Sequence, residues 1–264
     1  MIKKIIKLFL NPWIIIKKIH ILFEKKRYNE NIFLDKQNKI FSELNLSRKE
    51  GYENYQKIIS NYAFLSDEMS SEHQVFFSSL SISEDFDIKD ILEIGTWDAK
   101  NAFLLSLLFK SSNIDTIDLK KDHEVFTDFY NRSHKLDKFI RGRDEIIQKE
   151  KRINFQELNS LRLYNHQKKY DLIWIDGAHG YPVVCMDIVN SLKLLNSNGV
   201  IMCDDVFINK IKSDRIYQST ATFETLQELK NENIIDYKLI YKRLNKENNF
   251  SEKNRKYVAV VSLK

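Results

Sequence analysis

The 264-residue sequence predicts an α/β protein: a doubly wound, mostly parallel sheet that ends in an antiparallel strand pair and follows an N-terminal helical region. Three observations carry that expectation. The apolar runs Leu172-Ile173-Trp174-Ile175 and Val200-Ile201-Met202-Cys203 read as strands covered on both faces. Stretches of helical spacing lie between such runs, as in 183–195, where Val184, Ile188, Leu192 and Leu195 share a face. Finally, residues 235–244 and 255–263 alternate in polarity and are joined by the polar stretch 245–254, as in a closing strand pair.

The chain divides into residues 1–30, 31–84 and 85–264. Residues 1–30 carry eight Lys/Arg and two acids, a net +6, so the other 234 residues sum to −1. A near-neutral body lacks the basic face of a nucleic-acid binder. The start is too broken by lysines to span a membrane, having no run of 18 uncharged apolar residues. It also lacks a small-residue cleavage site after a clean apolar core. Asn11-Pro12 reads as a helix cap followed by proline at the first helical position. On a helical wheel Lys3, Lys4, Lys7, Asn11 and Lys18 oppose Ile5, Ile6, Phe9, Trp13, Ile16 and Phe23. That pattern fits two partners. One is an anionic membrane surface met through residues 1–27, with Trp13 at the interface. The other is the body of the protein or a second subunit of a homo-oligomer. Cys185 and Cys203 fall in the expected core and read as small buried hydrophobes, so a reducing cytoplasmic location is expected, peripheral on the inner face of the membrane under the first reading.

Residues 31–84 read as helices over 33–44, 51–65 and 73–80, the last begun by Ser70-Ser71-Glu72, with His73 on its surface. Residues 81–90 read as a loop. A strand over 91–94, a turn over 95–101 and a helix over 102–109 follow. Ile114-Asp115-Thr116-Ile117-Asp118 is the second strand, 119–150 a charged helical stretch, and 153–155 the third strand. A helix over 222–231 precedes the final pair.

Chemistry concentrates at strand ends. Asp176 closes one apolar run and Asp204-Asp205 another, with a helix between them. A right-handed crossover makes the two strands parallel, and parallel neighbours lie about 4.8 Å apart. Three carboxylates then converge at the sheet edge where open α/β folds bind ligands. They repel unless one is protonated or a cation sits among them. Gly95 alone stands where a dinucleotide fingerprint has three glycines, and no phosphate-cradling loop with Gly-Lys-Ser/Thr occurs. Asp118 follows Gly95 at about the spacing at which a Rossmann-like fold takes ribose hydroxyls. Ribose without phosphate points to S-adenosylmethionine.

Leu92-Glu93-Ile94-Gly95-Thr96 followed by Thr116-Ile117-Asp118 resembles the opening of a class I S-adenosylmethionine-dependent methyltransferase. Ile175-Asp176-Gly177-Ala178-His179-Gly180-Tyr181 and Gly199-Val200-Ile201-Met202-Cys203-Asp204-Asp205 narrow the resemblance to metal-dependent small-molecule O-methyltransferases, the group containing catechol, cephalosporin-pathway and macrolide-sugar enzymes. It covers about residues 85–264. It implies that Glu93, Gly95, Thr96, Trp97, Asn101, Asp118 and Asp176 bind the cofactor, and that Asp176, Asp204 and Asp205 hold Mg²⁺. His179 falls where the catechol enzymes carry a catalytic lysine, and is the expected base. Ala99 and Asn101 stand where glycine and serine are common. The expected acceptor is a hydroxyl of a small molecule or saccharide, such as a vicinal diol chelated by Mg²⁺, held by residues 31–90, 119–150 and 206–221. Two alternatives keep the fold: a metal-independent methyltransferase, and a noncatalytic binding protein.

Overall fold

A computed structural model describes residues 12–65, 71–129, 135–209, 219–252 and 255–264. The expected helical face before Pro12 and the parts of the expected acceptor pocket at 66–70, 130–134 and 210–218 lie outside the described residues. Seven strands form one sheet in the order β3-β2-β1-β4-β5-β7-β6. They are β1 (Asp90–Ile94), β2 (Asn113–Asp118), β3 (Ile153–Glu157), β4 (Tyr170–Ile175), β5 (Leu195–Val206), β6 (Ile235–Tyr241) and β7 (Tyr257–Leu263). The first five run parallel. β7 runs antiparallel to both β5 and β6. The doubly wound sheet with its closing antiparallel pair is therefore as the sequence predicts.

Alternation along the inner strands explains why the sheet is buried on both sides. Leu172, Trp174, Val200 and Met202 enter one core, and Ile173, Ile175, Ile201 and Cys203 the other. The first core receives helices α2 (Glu30–Ser42), α3 (Arg48–Ile59), α4 (Glu72–Ile82) and α5 (Lys100–Leu108), through Phe41, Tyr55, Phe76, Phe77 and Leu104. The second receives α7 (Val183–Leu194) and α8 (Ala221–Asn231), through Val184, Ile188 and Leu226. Residues 31–84 thus share a core with the sheet. α1 (Pro12–Arg27) precedes them, α6 (Leu136–Ile147) lies between β2 and β3, and α9 (Lys246–Asn249) is a single turn between β6 and β7.

The helix expected over 51–65 ends instead at Ile59, with a separate 3₁₀ turn at Ala63–Leu65. Ser60 Oγ and Asn61 Nδ2 both donate to the Lys57 carbonyl, competing with the backbone for it. α4 starts where expected, with Ser71 and Gln74 forming a capping box. His73, expected on the surface, is buried and stacked on Trp174 at 4.6 Å between centroids.

One buried polar network ties the N-terminal helices to the end of β6. Arg48 donates from Nε and Nη2 to the two oxygens of Glu72, at 2.6 and 2.7 Å. Gln37 donates to Glu72 and to the Tyr241 carbonyl, and accepts from the Tyr241 N–H. The Glu72 N–H donates to the Lys242 carbonyl at 2.9 Å.

Candidate active site

At the carboxyl edge of the sheet a cavity of about 280 Å³ opens between the ends of β1, β2 and β4. Gly95 forms its turn. Its φ is +104°, and an added Cβ would lie 2.4 Å from the Asp176 carbonyl oxygen. Glycine is needed there both for the left-handed backbone and for the close approach of two strand ends. Trp97 and Ala99, in the same turn, also have positive φ, at 52° and 63°. Such conformations concentrate at ligand sites. Ile94, Ile117, Leu119, Phe126 and Leu158 make the walls apolar, while Asp118 and Asp176 add two carboxyl groups.

Asp118 accepts N–H bonds from Trp97 and Leu119, each at 2.8 Å. Burial nevertheless pushes its carboxyl above the usual range. Trp97 lines the cavity and meets Phe139 edge-on at 5.4 Å. Glu93, Thr96 and Asn101 are not on the cavity wall. Asn101 donates to Glu93 at 2.8 Å, Thr116 donates to its other oxygen at 2.5 Å, and Thr96 bonds Thr116 at 2.6 Å. These three side chains brace the turn from behind rather than facing the cavity.

The carboxylate cluster adjoins this cavity through Asp176. A regular strand would send Asp204 and Asp205 to opposite faces. Here the β5–β7 register shifts between Cys203 and Val206, and Asp205 has φ 51°. This bulge lets both aspartates reach one cation. That cation is Lys242, whose Nζ lies 2.5 Å from Asp204 Oδ2 and 2.5 Å from Asp205 Oδ1. Lys256 Nζ lies 2.5 Å from Asp205 Oδ2. Burial would raise the Asp204 carboxyl, but the Lys242 ammonium holds it well below the usual range. Burial likewise opposes the Lys242 charge, yet Asp204 and Asp205 hold its pKa above that of an ordinary lysine. Asp176 is half-buried, and lost hydration with the charge of Asp204 beside it holds its carboxyl well above the usual range. His179 is buried with Nε2 3.6 Å from Asp176 Oδ1, and burial lowers its pKa.

Residues 92–206 match the family model of a methyltransferase domain. The chain's fold is also that of solved structures of low identity. One is the SAH-bound methyltransferase PaMTH1 of Podospora anserina, with 20% identity, 81% of this chain and 88% of that chain covered, and a TM-score of 0.51. Another is an O-methyltransferase from Bacillus cereus in complex with SAH, with 15% identity, 81% and 90% covered, and a TM-score of 0.51. No curated protein matches the sequence.

The matched segment contains the whole cavity edge from Leu92 in β1 to Asp205, but neither lysine of the cluster. Those lysines decide whether Mg²⁺ fits. Mg²⁺ demands near-octahedral oxygen ligands about 2.0–2.1 Å away. Both oxygens of Asp205 and one of Asp204 are instead engaged by ammonium groups, and a dication among them would face two like charges. Among the described residues, no group of three or more His, Cys, Asp or Glu is arranged to hold a metal ion. As arranged, Asp176, Asp204 and Asp205 do not fit the expected magnesium site.

Sequence reasoning missed Lys242 and Lys256 because each looks like an exposed lysine at a strand end. The signal lay in topology. Pairing Tyr241 with Tyr257 puts the end of β6 and the start of β7 at the edge where β4 and β5 end.

Proposed function

We propose that this chain transfers a methyl group from S-adenosylmethionine to a hydroxyl of a small molecule or saccharide. The observation that carries the reading is the cavity that places the Gly95 turn, Asp118 and Asp176 on one wall. Its residues fit that cofactor: apolar walls for adenine, a carboxyl group for ribose hydroxyls and a backbone that tolerates no Cβ at Gly95. When bound, S-adenosylmethionine supplies an electrophilic methyl group. Asp118 would orient the ribose and Trp97 would cover one side. Asp176 lies on the cavity wall with His179 behind it, so this pair is the base that the geometry offers for the acceptor hydroxyl proton. The lowered pKa of His179 keeps its imidazole neutral, and able to take a proton, near pH 7. Positioning of the two reactants would supply much of the rate.

Calorimetry with S-adenosylhomocysteine tests the cofactor site, and absence of binding would sink the reading. Release of S-adenosylhomocysteine across a panel of nucleotide sugars, saccharides and phenolics would then identify the acceptor.

The partner proposed for α1 is an anionic membrane surface. Trp13, Ile16, Ile19, Leu22 and Phe23 are exposed on this helix, which carries Lys25, Lys26 and Arg27 in its last turn. Apolar exposure combined with positive charge suits an anionic interface. Among the described residues no helix is long and apolar enough to cross a membrane.

A further inference from the structure

The three aspartates need a cation, and the chain provides its own. Lys242 is not a loose surface side chain. Its N–H donates to the Lys256 carbonyl at 3.0 Å, and its carbonyl accepts from the Glu72 N–H at 2.9 Å. Glu72 is itself held by Arg48 and Gln37. The side chain is 9% exposed and spans Asp204 and Asp205. Lys256 closes the far side of Asp205. Asp204 and Asp205 are thus paired with two ammonium groups delivered by the ends of one hairpin, and Asp176 lies within the field of Lys242.

We propose that Lys242, seconded by Lys256, is the resident cation of this cluster, so that the site holds its carboxylates together without a divalent metal. Lys242 is then a positioning residue: it fixes Asp204 and Asp205, and through them the Asp176–His179 pair. An acceptor in such a site needs no second oxygen to complete a metal chelate. The relevance to catalysis rests on the methyltransferase reading; the cation assignment does not.

Mn²⁺ is the probe, followed by electron paramagnetic resonance on the full chain. Wild type is expected to show no site-bound Mn²⁺. Lys242→Met, which removes the charge and keeps much of the volume, is expected to gain one bound Mn²⁺, lost again when Asp204→Asn is added. Lys242→Arg, which restores the charge, is expected to exclude the metal as wild type does. A wild type that binds Mn²⁺ and loses it on Asp204→Asn overturns the proposal, as does a folded Lys242→Met that gains no metal. If Lys242→Met does not fold, the wild-type and Asp204→Asn arms decide alone, absence of bound metal from both supporting the proposal. S-adenosylhomocysteine affinity measured in EDTA and in Mg²⁺ is expected to be equal. Failure to bind it at all would sink the methyltransferase reading and leave the Mn²⁺ result standing.

Discussion

Replacing Gly95 with alanine probes the contact on which the cavity depends. The new Cβ would stand 2.4 Å from the Asp176 carbonyl oxygen and 2.8 Å from its carbon, both backbone atoms that cannot rotate away. It would also sit on a backbone with φ +104°. A left-handed conformation costs an L-residue about 1–2 kcal/mol, and overpacking adds about 1–3 kcal/mol. A total near 3 kcal/mol corresponds to a shift in Tm of roughly 6 °C for a chain of this size. Relief of the clash would push the end of β4 away from β1 and carry Asp176 with it. If half of the strain were released that way, S-adenosylhomocysteine would bind about tenfold more weakly, since 1.4 kcal/mol is a factor of ten. Thermal unfolding and calorimetry on Gly95→Ala read the two effects. A variant with unchanged Tm and cofactor affinity within twofold of wild type would refute the argument that this close approach shapes the site.

Other outcomes follow from named contacts. Glu72→Ala leaves the partly buried Arg48 guanidinium without its carboxylate and should lower stability by about 1–3 kcal/mol in urea unfolding; a loss below 1 kcal/mol would mean that the network is not what fixes the helices. Asp187 is fully buried, and burial pushes its pKa up to about 6. The folded state therefore binds its proton more tightly than the unfolded state, and stability falls as pH rises from about 4 to 6. Asp187→Asn removes that cost, so it should be more stable than wild type by about 1–3 kcal/mol at pH 7 and show no advantage at pH 4. A constant difference across that range would assign the effect to packing. Trp13→Ser with Phe23→Ser should reduce flotation with phosphatidylserine vesicles at least severalfold and leave flotation with neutral vesicles unchanged; equal flotation would remove the membrane as partner.

The sheet was legible because its strands announce themselves. β4 and β5 contain the unbroken apolar runs 172–175 and 200–203, as burial on both faces requires; β7 was expected to alternate but is buried on both faces over 258–261, because it lies between β5 and β6. The helices of 31–84 were legible from periodicity, but their end points were set by side chains that bond back to the backbone, such as Ser60 and Asn61. The cavity was readable from Gly95 and Asp118, since a lone glycine before an acid-tipped strand has few other uses. Glu93 and Asn101 were harder. Local sequence places them by the turn but does not say that they bond each other behind it. His73 reads as surface in a helix of mixed polarity, and only the long-range contact with Trp174 buries it. The compensation of Asp204 and Asp205 was least legible, because their partners lie 37 or more residues later.

That separation has a consequence for assembly. β6 and β7 follow every parallel strand in the chain, so Asp204 and Asp205 can be laid down in β5 while their counter-charges remain unpaired. Pairing Tyr241 with Tyr257 then closes the sheet and brings Lys242 and Lys256 to the aspartates together. A slip of one residue in that pairing would turn side chains to the opposite face, stranding the acids even in a sheet with all its strands present. The hairpin register therefore decides the electrostatics of the cluster: Asp204 and Asp205 meet their counter-charges only in the correct alignment of the last two strands.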